Sequence, residues 1–71
     1  MTLSDCLKKV RHERKESQLY AAEKIGICFQ QLSAYESGKH EPRASILIAM
    51  ADHYNVSLDY LTGRTENDNR S

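Results

Sequence analysis

Proline, glycine and cysteine are scarce in this sequence, and tryptophan is absent. The 71 residues include one proline, three glycines and two cysteines. So little proline and glycine argues against a disordered or collagen-like chain. Two cysteines without a CxxC spacing are too few for the disulfide framework of a secreted miniprotein. Because 39% of the residues are hydrophobic, we predict a small folded domain.

Long apolar runs and grouped metal ligands are also missing. No run approaches the ~18 apolar residues of a membrane span, and the first residues lack a signal-peptide pattern. We therefore expect a cytoplasmic protein without membrane contact. The three histidines have no zinc-site spacing, and no catalytic triad, phosphate-binding glycine loop or carboxylate pair can be assembled from the motifs. We expect no enzyme activity, metal, cofactor or small-molecule ligand.

The net charge is zero, but the charges are unevenly distributed. Residues 1–43 hold eight basic and six acidic side chains, whereas residues 44–71 hold two basic and four acidic ones. The first part of the chain is therefore slightly positive. A charge difference of this size between the two parts of the chain predicts moderate non-specific affinity for nucleic acid.

Apolar periodicity and capping residues predict five helices. The predicted elements are a helix over 3–15, a second between the cap Ser17 and Gly26, a third over 29–36 stopped by Gly38, a fourth over 43–54 ended by Asn55, and a last one over 58–61 between Ser57 and Gly63. These elements make residues 1–63 a single domain. Residues 64–71 are polar and are predicted to form a frayed tail.

Two short helices around Gly26 dominate the functional prediction. Ala22 lies four positions before this glycine, and Leu32 lies six positions after it. A tight helix crossing needs a small contact residue, a turn glycine and an inward-facing anchor. This spacing is typical of a helix-turn-helix that reads DNA.

Other motifs lie around this unit in a fixed order: Arg11, Ser17-Gln18, Tyr35-Glu36-Ser37-Gly38-Lys39, Pro42 and Val56-Ser57-Leu58-Asp59-Tyr60-Leu61-Thr62-Gly63. With Ala22 and Gly26 they resemble the Xre-like family, which includes the lambdoid phage repressors and Cro proteins. The resemblance covers about residues 7–63. It implies an all-α, compact five-helix bundle of the lambda repressor type. The implied function is sequence-specific binding of double-stranded DNA by a small dimeric repressor of a phage or mobile element.

The resemblance makes residues 29–36 the recognition helix. Base contacts are then implied for Phe29, Gln30 and Ala34, with Gln31 as a further contact. Gln30 can pair with the N6 and N7 atoms of adenine, whereas Phe29 is suited to a thymine methyl group or a sugar.

The family pattern also implies positions that hold the DNA backbone and the fold. Phosphate contacts are implied for Ser17, Gln18, Lys39, His40 and Arg43. Gln18 begins a helix, where the helix dipole and free N–H groups favour an anion. Arg11 and Glu36 match a pair that forms a structural salt bridge between the first and third helices.

The sequence departs from the family pattern around the second helix. Similar proteins have an apolar residue, a Glu and a Leu where this chain has Glu16, Tyr20 and Ala21. We expect Tyr20 or Leu19 to fill the space of the missing leucine. Cys28 replaces the usual Ser or Thr cap of the third helix, and a thiol is a poor capping acceptor.

The fourth helix is apolar nearly all round, more than a small core can cover. The predicted dimer interface comprises Ile46, Ile48, Leu58, Tyr60 and Leu61. A two-fold dimer would bind a palindromic operator with half-sites about 34 Å apart. The alternative is an antitoxin-like or other protein-interaction module in which DNA contact is minor.

Overall fold

The computed structural model describes residues 2–63, and the predicted tail over 64–71 lies outside them. Residues 2–63 form five helices: α1 (Leu3–Glu13), α2 (Gln18–Ile25), α3 (Phe29–Ser37), α4 (Ala44–Tyr54) and α5 (Leu58–Leu61). No strand occurs within this part of the chain. The predicted all-helical fold with five helices is confirmed.

Hydroxyl side chains serve as N-caps for three of the five helices. The side chain of Thr2 accepts a hydrogen bond from the Asp5 amide, and Ser17 and Ser57 each accept one from the amide three residues later. The first amides of a helix have no partner within it, so each cap satisfies one of them. These caps therefore determine the residue at which each of the three helices begins.

Residues with left-handed backbone conformations end α2, α3 and α4. Gly26 has φ of +96° and Asn55 has φ of +57°. A Cβ atom added to Gly26 would meet nothing within 4 Å. Glycine is therefore favoured there by the backbone conformation and not by crowding.

Three predicted boundaries differ slightly from the observed ones. The first helix ends at Glu13 instead of residue 15, because Lys15 has a positive φ of +58° that an α-helix cannot contain. The third extends one residue further, to Ser37. The fourth begins at Ala44, because Arg43 is extended and serves as its N-cap.

The core lies where α1 packs on α3 and α5, and where α2 packs on α3 and α4. Leu7, Leu32, Met50 and Leu61 are fully buried at its centre. The prediction that Leu19 or Tyr20 fills a core space is wrong, because these side chains are 64% and 49% exposed. None of the helices in residues 2–63 has the length and apolar character that crossing a bilayer requires.

Candidate nucleic-acid interface

The turn between α2 and α3 is tight and internally hydrogen-bonded. The carbonyl of Ala22 accepts hydrogen bonds from the amides of Gly26 and Ile27 at 2.8 and 2.9 Å. Ala22 and Leu32 are both buried where the two helices meet. The turn therefore fixes the direction in which α3 leaves α2.

The two sides of α3 differ in exposure. Leu32, Tyr35 and Glu36 are buried, whereas Phe29 and Gln30 are exposed. Gln31 is also exposed, and Ala34 is half-buried. The four residues implied to contact bases are thus accessible to different degrees. A nine-residue helix is about 13 Å long, which suits a major groove about 12 Å wide.

Gln31 has a role in the protein itself. Its side-chain carbonyl accepts a hydrogen bond from the Cys28 amide at 3.2 Å, and the Cys28 thiol donates to the same oxygen at 3.5 Å. The two residues thus form a capping box, in which the Cys28 thiol faces the Gln31 amide and the Gln31 side chain binds the Cys28 amide. Gln31 therefore satisfies the amide of the N-cap residue, whereas the thiol is a weaker acceptor for the Gln31 amide than a Ser or Thr hydroxyl would be.

A buried salt bridge joins α1 to α3. Arg11 and Glu36, the pair that the resemblance indicated, form two hydrogen bonds of 2.7 and 3.0 Å in a fork-like arrangement. Arg11 also donates to the backbone carbonyl of Glu16. The hydrogen bond to Glu36 raises the pKa of the Arg11 guanidinium above its ordinary value. Both charges are thereby compensated inside the protein.

Gln18 extends this bridge to α2. Its side-chain nitrogen donates to Glu36 Oε1 at 3.1 Å. Glu36 therefore ties together three helices. The resemblance implied a direct phosphate contact for Gln18, and the observed hydrogen bond gives its amide nitrogen a partner within the protein.

The remaining residues implied to contact phosphate are all on the surface. Ser17 is exposed and caps α2 through its hydroxyl oxygen. Lys39, His40 and Arg43 are exposed in the connection between α3 and α4. Two cationic side chains and an imidazole are thus accessible directly after the helix that is implied to enter the groove.

A second polar cluster, formed by Arg14, Glu16 and His53, was not predicted. His53 Nε2 donates to Glu16 Oε1 at 2.7 Å, and Arg14 Nε donates to Glu16 Oε2 at 3.0 Å. The side chains of Glu16 and His53 are only 9% and 14% exposed. One sequence signal could have indicated the cluster. Glu16 occupies a position that is apolar in similar proteins, and a carboxylate there needs a partner.

The Glu16 carboxyl group is held in its charged form. Its burial favours a higher pKa, but the hydrogen bonds from His53 and Arg14 outweigh burial and hold the pKa below its ordinary value. The His53 ring also packs against Tyr20 and Tyr54, with centroid distances of 6.4 and 5.0 Å. The cluster therefore joins α4 to the segment that begins α2.

A family model described as "Helix-turn-helix" matches residues 7–61. The chain belongs to this family. The match spans α2, the turn at Gly26 and α3, and it confirms the family resemblance seen in the sequence.

Helix-turn-helix relatives with curated names match nearly the whole chain. The HTH-type transcriptional regulator ImmR of Bacillus subtilis is 39% identical over 66 residues, which cover 93% of this chain and 52% of the relative. The Cryptic phage CTXphi transcriptional repressor RstR of Vibrio cholerae is 32% identical over 68 residues, 96% of this chain and 61% of the relative. The chain thus spans about half to three fifths of the length of these relatives.

A solved structure shares the same helix-turn-helix fold. It is the P22 c2 repressor protein in complex with synthetic operator 9T in the presence of Tl⁺, with a TM-score of 0.84 and 22% identity. The similarity covers 87% of this chain and 94% of the other. At this identity the comparison establishes the fold.

The residues predicted to form a dimer interface separate into two groups in this helix-turn-helix chain. Ile48 and Leu58 are 51% and 41% exposed, and Ile46 is partly buried. Tyr60 and Leu61 are buried in the chain's own core. This burial departs from the prediction, because side chains enclosed by α1 and α4 are not available to a second copy.

Proposed function

We propose that this chain is a sequence-specific double-stranded DNA-binding regulator of transcription, acting as a small dimeric repressor. The observation that carries the proposal is the exposed outer side of α3, held in place by a buried polar network on its inner side. The names of the relatives support the class, since they are transcriptional regulators and a phage repressor.

Base reading is assigned to the exposed start of α3. Gln30 is the residue best suited to pair with an adenine, because its amide carries both a donor and an acceptor and has solvent access. Phe29, exposed beside it, offers apolar contact to a thymine methyl group. Ala34 and Gln31 are assigned weaker contacts, because Ala34 is half-buried and Gln31 is engaged with Cys28.

Affinity without sequence preference is assigned to the surrounding surface. Lys39, His40 and Arg43 would contact phosphates from the loop after α3, and the Ser17-Gln18 end of α2 would add a contact through the helix N-terminus. A DNA target also means that the protein acts in the compartment that holds the DNA, the cytoplasm of a prokaryotic host.

The dimer is proposed on the exposed apolar side chains of α4 and α5. Ile48 and Leu58 are large, apolar and accessible. Ile46 lies two positions before Ile48 on α4 and is partly buried. Burial of such groups between two copies would remove apolar surface from water. Ile48→Glu is expected to convert the dimer to a monomer in sedimentation equilibrium, whereas Leu19→Glu, on α2, leaves the dimer intact.

Selection of bound sequences from a random duplex library tests the proposal. Recovery of a palindrome with half-sites about one helical turn apart is the expected result. Repeating the selected binding reaction at two salt concentrations measures the phosphate contribution, because counterion release makes affinity fall with salt. No enrichment at low salt would overturn the assignment as a DNA reader.

A protein-interaction module, such as an antitoxin, is the second candidate. The zero net charge and the exposed Ile48 and Leu58 favour it, because a docking surface needs apolar area more than it needs positive charge. The selection experiment separates the two candidates, since the interaction module would enrich no duplex.

A further inference from the structure

The Glu16–His53 pair connects α4 to the segment that leads into α2. Glu16 directly precedes Ser17, the N-cap of α2, and Gln18, the first residue of that helix. His53 lies near the end of α4 and reaches the Glu16 carboxylate at 2.7 Å. The contact spans 37 positions of sequence. It is therefore a tertiary restraint on the part of α2 that the proposed function directs at a phosphate.

The same segment is held at a second point by its backbone. Arg11 Nη1 donates to the Glu16 carbonyl at 2.7 Å, and Arg11 is itself bound to Glu36. Since Gln18 also donates to Glu36, Glu16 and Gln18 are held on either side of the α2 cap. A change in the Glu16 side-chain contact therefore acts on the same short segment as these two hydrogen bonds.

We propose that His53 is a positioning residue for DNA binding: in its charged form it holds Glu16 and thereby sets the phosphate-facing end of α2, so that affinity for the operator weakens as His53 loses its proton. This inference rests on the proposed function. No base or phosphate contact is assigned to His53.

The charge on the imidazole decides how strongly the pair is held. A charged imidazolium and a carboxylate form a stronger hydrogen bond than a neutral imidazole does, and histidine changes charge between about pH 5 and about pH 8. The pair is also sheltered, so water and salt screen it less than a surface pair. The contact is therefore expected to hold Glu16 more firmly while the imidazole carries a charge.

The charged and titratable groups around His53 come from three parts of the chain. They are Glu16 and, through it, Arg14 in the α1–α2 connection, Tyr20 on α2 with Lys24 over its ring, and Asp52 and Tyr54 beside it on α4. The Glu16 carboxylate accepts a hydrogen bond from the His53 ring. The Glu16–His53 hydrogen bond is therefore the contact that the test variants should remove or change.

The test compares operator affinity at about pH 6 and about pH 8, at constant ionic strength, for three forms of the chain. The first is wild type, and the second is His53→Gln, which keeps an N–H donor without a titratable charge. The third is the double variant Glu16→Leu/His53→Leu, which replaces the pair by apolar groups and is expected to fold. The probe is a duplex recovered by library selection, and affinity is read by fluorescence anisotropy.

The wild type is expected to lose about threefold to tenfold more affinity between the two pH values than either variant does. His12 and His40 are present in all three forms, so their contribution cancels in the comparison. Chemical unfolding at both pH values establishes that each form is folded during the measurement. If the double variant does not fold, His53→Gln alone provides the comparison.

Two other results overturn the inference in distinguishable ways. If the wild type and His53→Gln lose affinity by the same factor, His53 does not set the phosphate-facing end of α2, and the proposed function stands. If the wild type binds no selected duplex at either pH, the proposed function fails, and this inference fails with it.

Discussion

Gln18, the first residue of α2, donates a hydrogen bond of 3.1 Å to Glu36 of α3. The two helices of the helix-turn-helix are thus joined by a polar contact besides their packing at Ala22 and Leu32. The same carboxylate is bound by Arg11 of α1. One buried anion therefore sets the relative positions of the three helices on which the proposed interface depends.

Removal of Arg11 tests how strongly this anion is held. Arg11→Ala is expected to lower the free energy of unfolding by about 3 kcal/mol, because Glu36 would remain buried without a charge partner. Urea unfolding measures the change. Arg43→Ala is the matched control, since Arg43 is exposed and makes no side-chain cap hydrogen bond, and it should cost less than about 0.5 kcal/mol. Equal losses for the two variants would contradict a structural role for the bridge.

Loss of the hydroxyl group is predicted to affect the free energy of unfolding differently at two buried tyrosines, Tyr54 and Tyr60. Among the described residues the Tyr54 hydroxyl is buried without a hydrogen-bond partner, and burial, followed by the carboxylates of Glu36 and Glu16, raises its pKa well above the ordinary value. Tyr54→Phe is therefore expected to change the free energy of unfolding by less than about 0.5 kcal/mol, or to increase it.

Tyr60→Phe is the matched comparison. Its hydroxyl accepts a hydrogen bond from Lys9 at 2.8 Å, so its removal should cost about 1 kcal/mol. Thermal or urea unfolding of both variants gives the answer. A larger loss for Tyr54→Phe than for Tyr60→Phe would show that the Tyr54 hydroxyl has a partner in solution.

The cap of α3 can be improved. Cys28 stands at the N-cap with a thiol, which is a poor hydrogen-bond acceptor, whereas Ser17 and Ser57 accept through hydroxyl oxygens. Cys28→Ser is expected to raise the free energy of unfolding by about 0.5 to 1 kcal/mol. Ser17→Ala should lower it by about 1 kcal/mol. Equal stability of Cys28→Ser and wild type would mean that Gln31 already satisfies the start of the helix.

Neighbouring glutamines on α3 should affect different properties. Gln30→Ala is expected to relax one base position in each half-site of the selected duplex, with unchanged stability, because its side chain is exposed. Gln31→Ala removes the acceptor for the Cys28 amide and should cost about 0.5 to 1 kcal/mol of stability. Library selection and urea unfolding, applied to both variants, measure the two properties. A stability loss confined to Gln30→Ala would reverse the assignment.

Glu16 should contribute to the acid sensitivity of the fold. Its pKa in the folded chain is lowered, so its carboxylate stabilises the fold above the pKa of an unfolded glutamate, about 4.3. That contribution is lost as the pH falls through the lower folded pKa. Glu16→Gln is expected to flatten the decline in unfolding free energy between about pH 5 and about pH 3. Glu41→Gln, at an exposed position, should retain the wild-type decline.

The sequence predicted the helices well because their ends are determined locally. Ser17, Gly26 and Asn55 act through backbone conformation and nearby amides, so they can be recognised without knowledge of the fold. Lys15 was missed as the reason that α1 ends early, because a positive φ at lysine has no signature in the sequence.

Side-chain partners between distant elements were harder to predict. Arg11 and Glu36 could be paired only through the family resemblance. The departure from the family pattern at Glu16 indicates that this carboxylate needs a partner, but no sequence pattern identifies His53 as that partner. The dimer prediction misjudged Tyr60 and Leu61, because the apolar residues of a short helix such as α5 can face a partner or the core. Their burial against the chain's own helices is a property of the tertiary structure.

The Arg11–Glu36 bridge also restricts how this sequence can evolve. A substitution that removes the charge at either position leaves the other charge buried without its partner, so such a change at one position favours a change at the other. Phe29 and Gln30 face outward and carry no such restriction. Substitutions at Phe29 and Gln30 can therefore alter the base sequence that α3 is proposed to read, while the Arg11–Glu36 bridge keeps α3 in the same place.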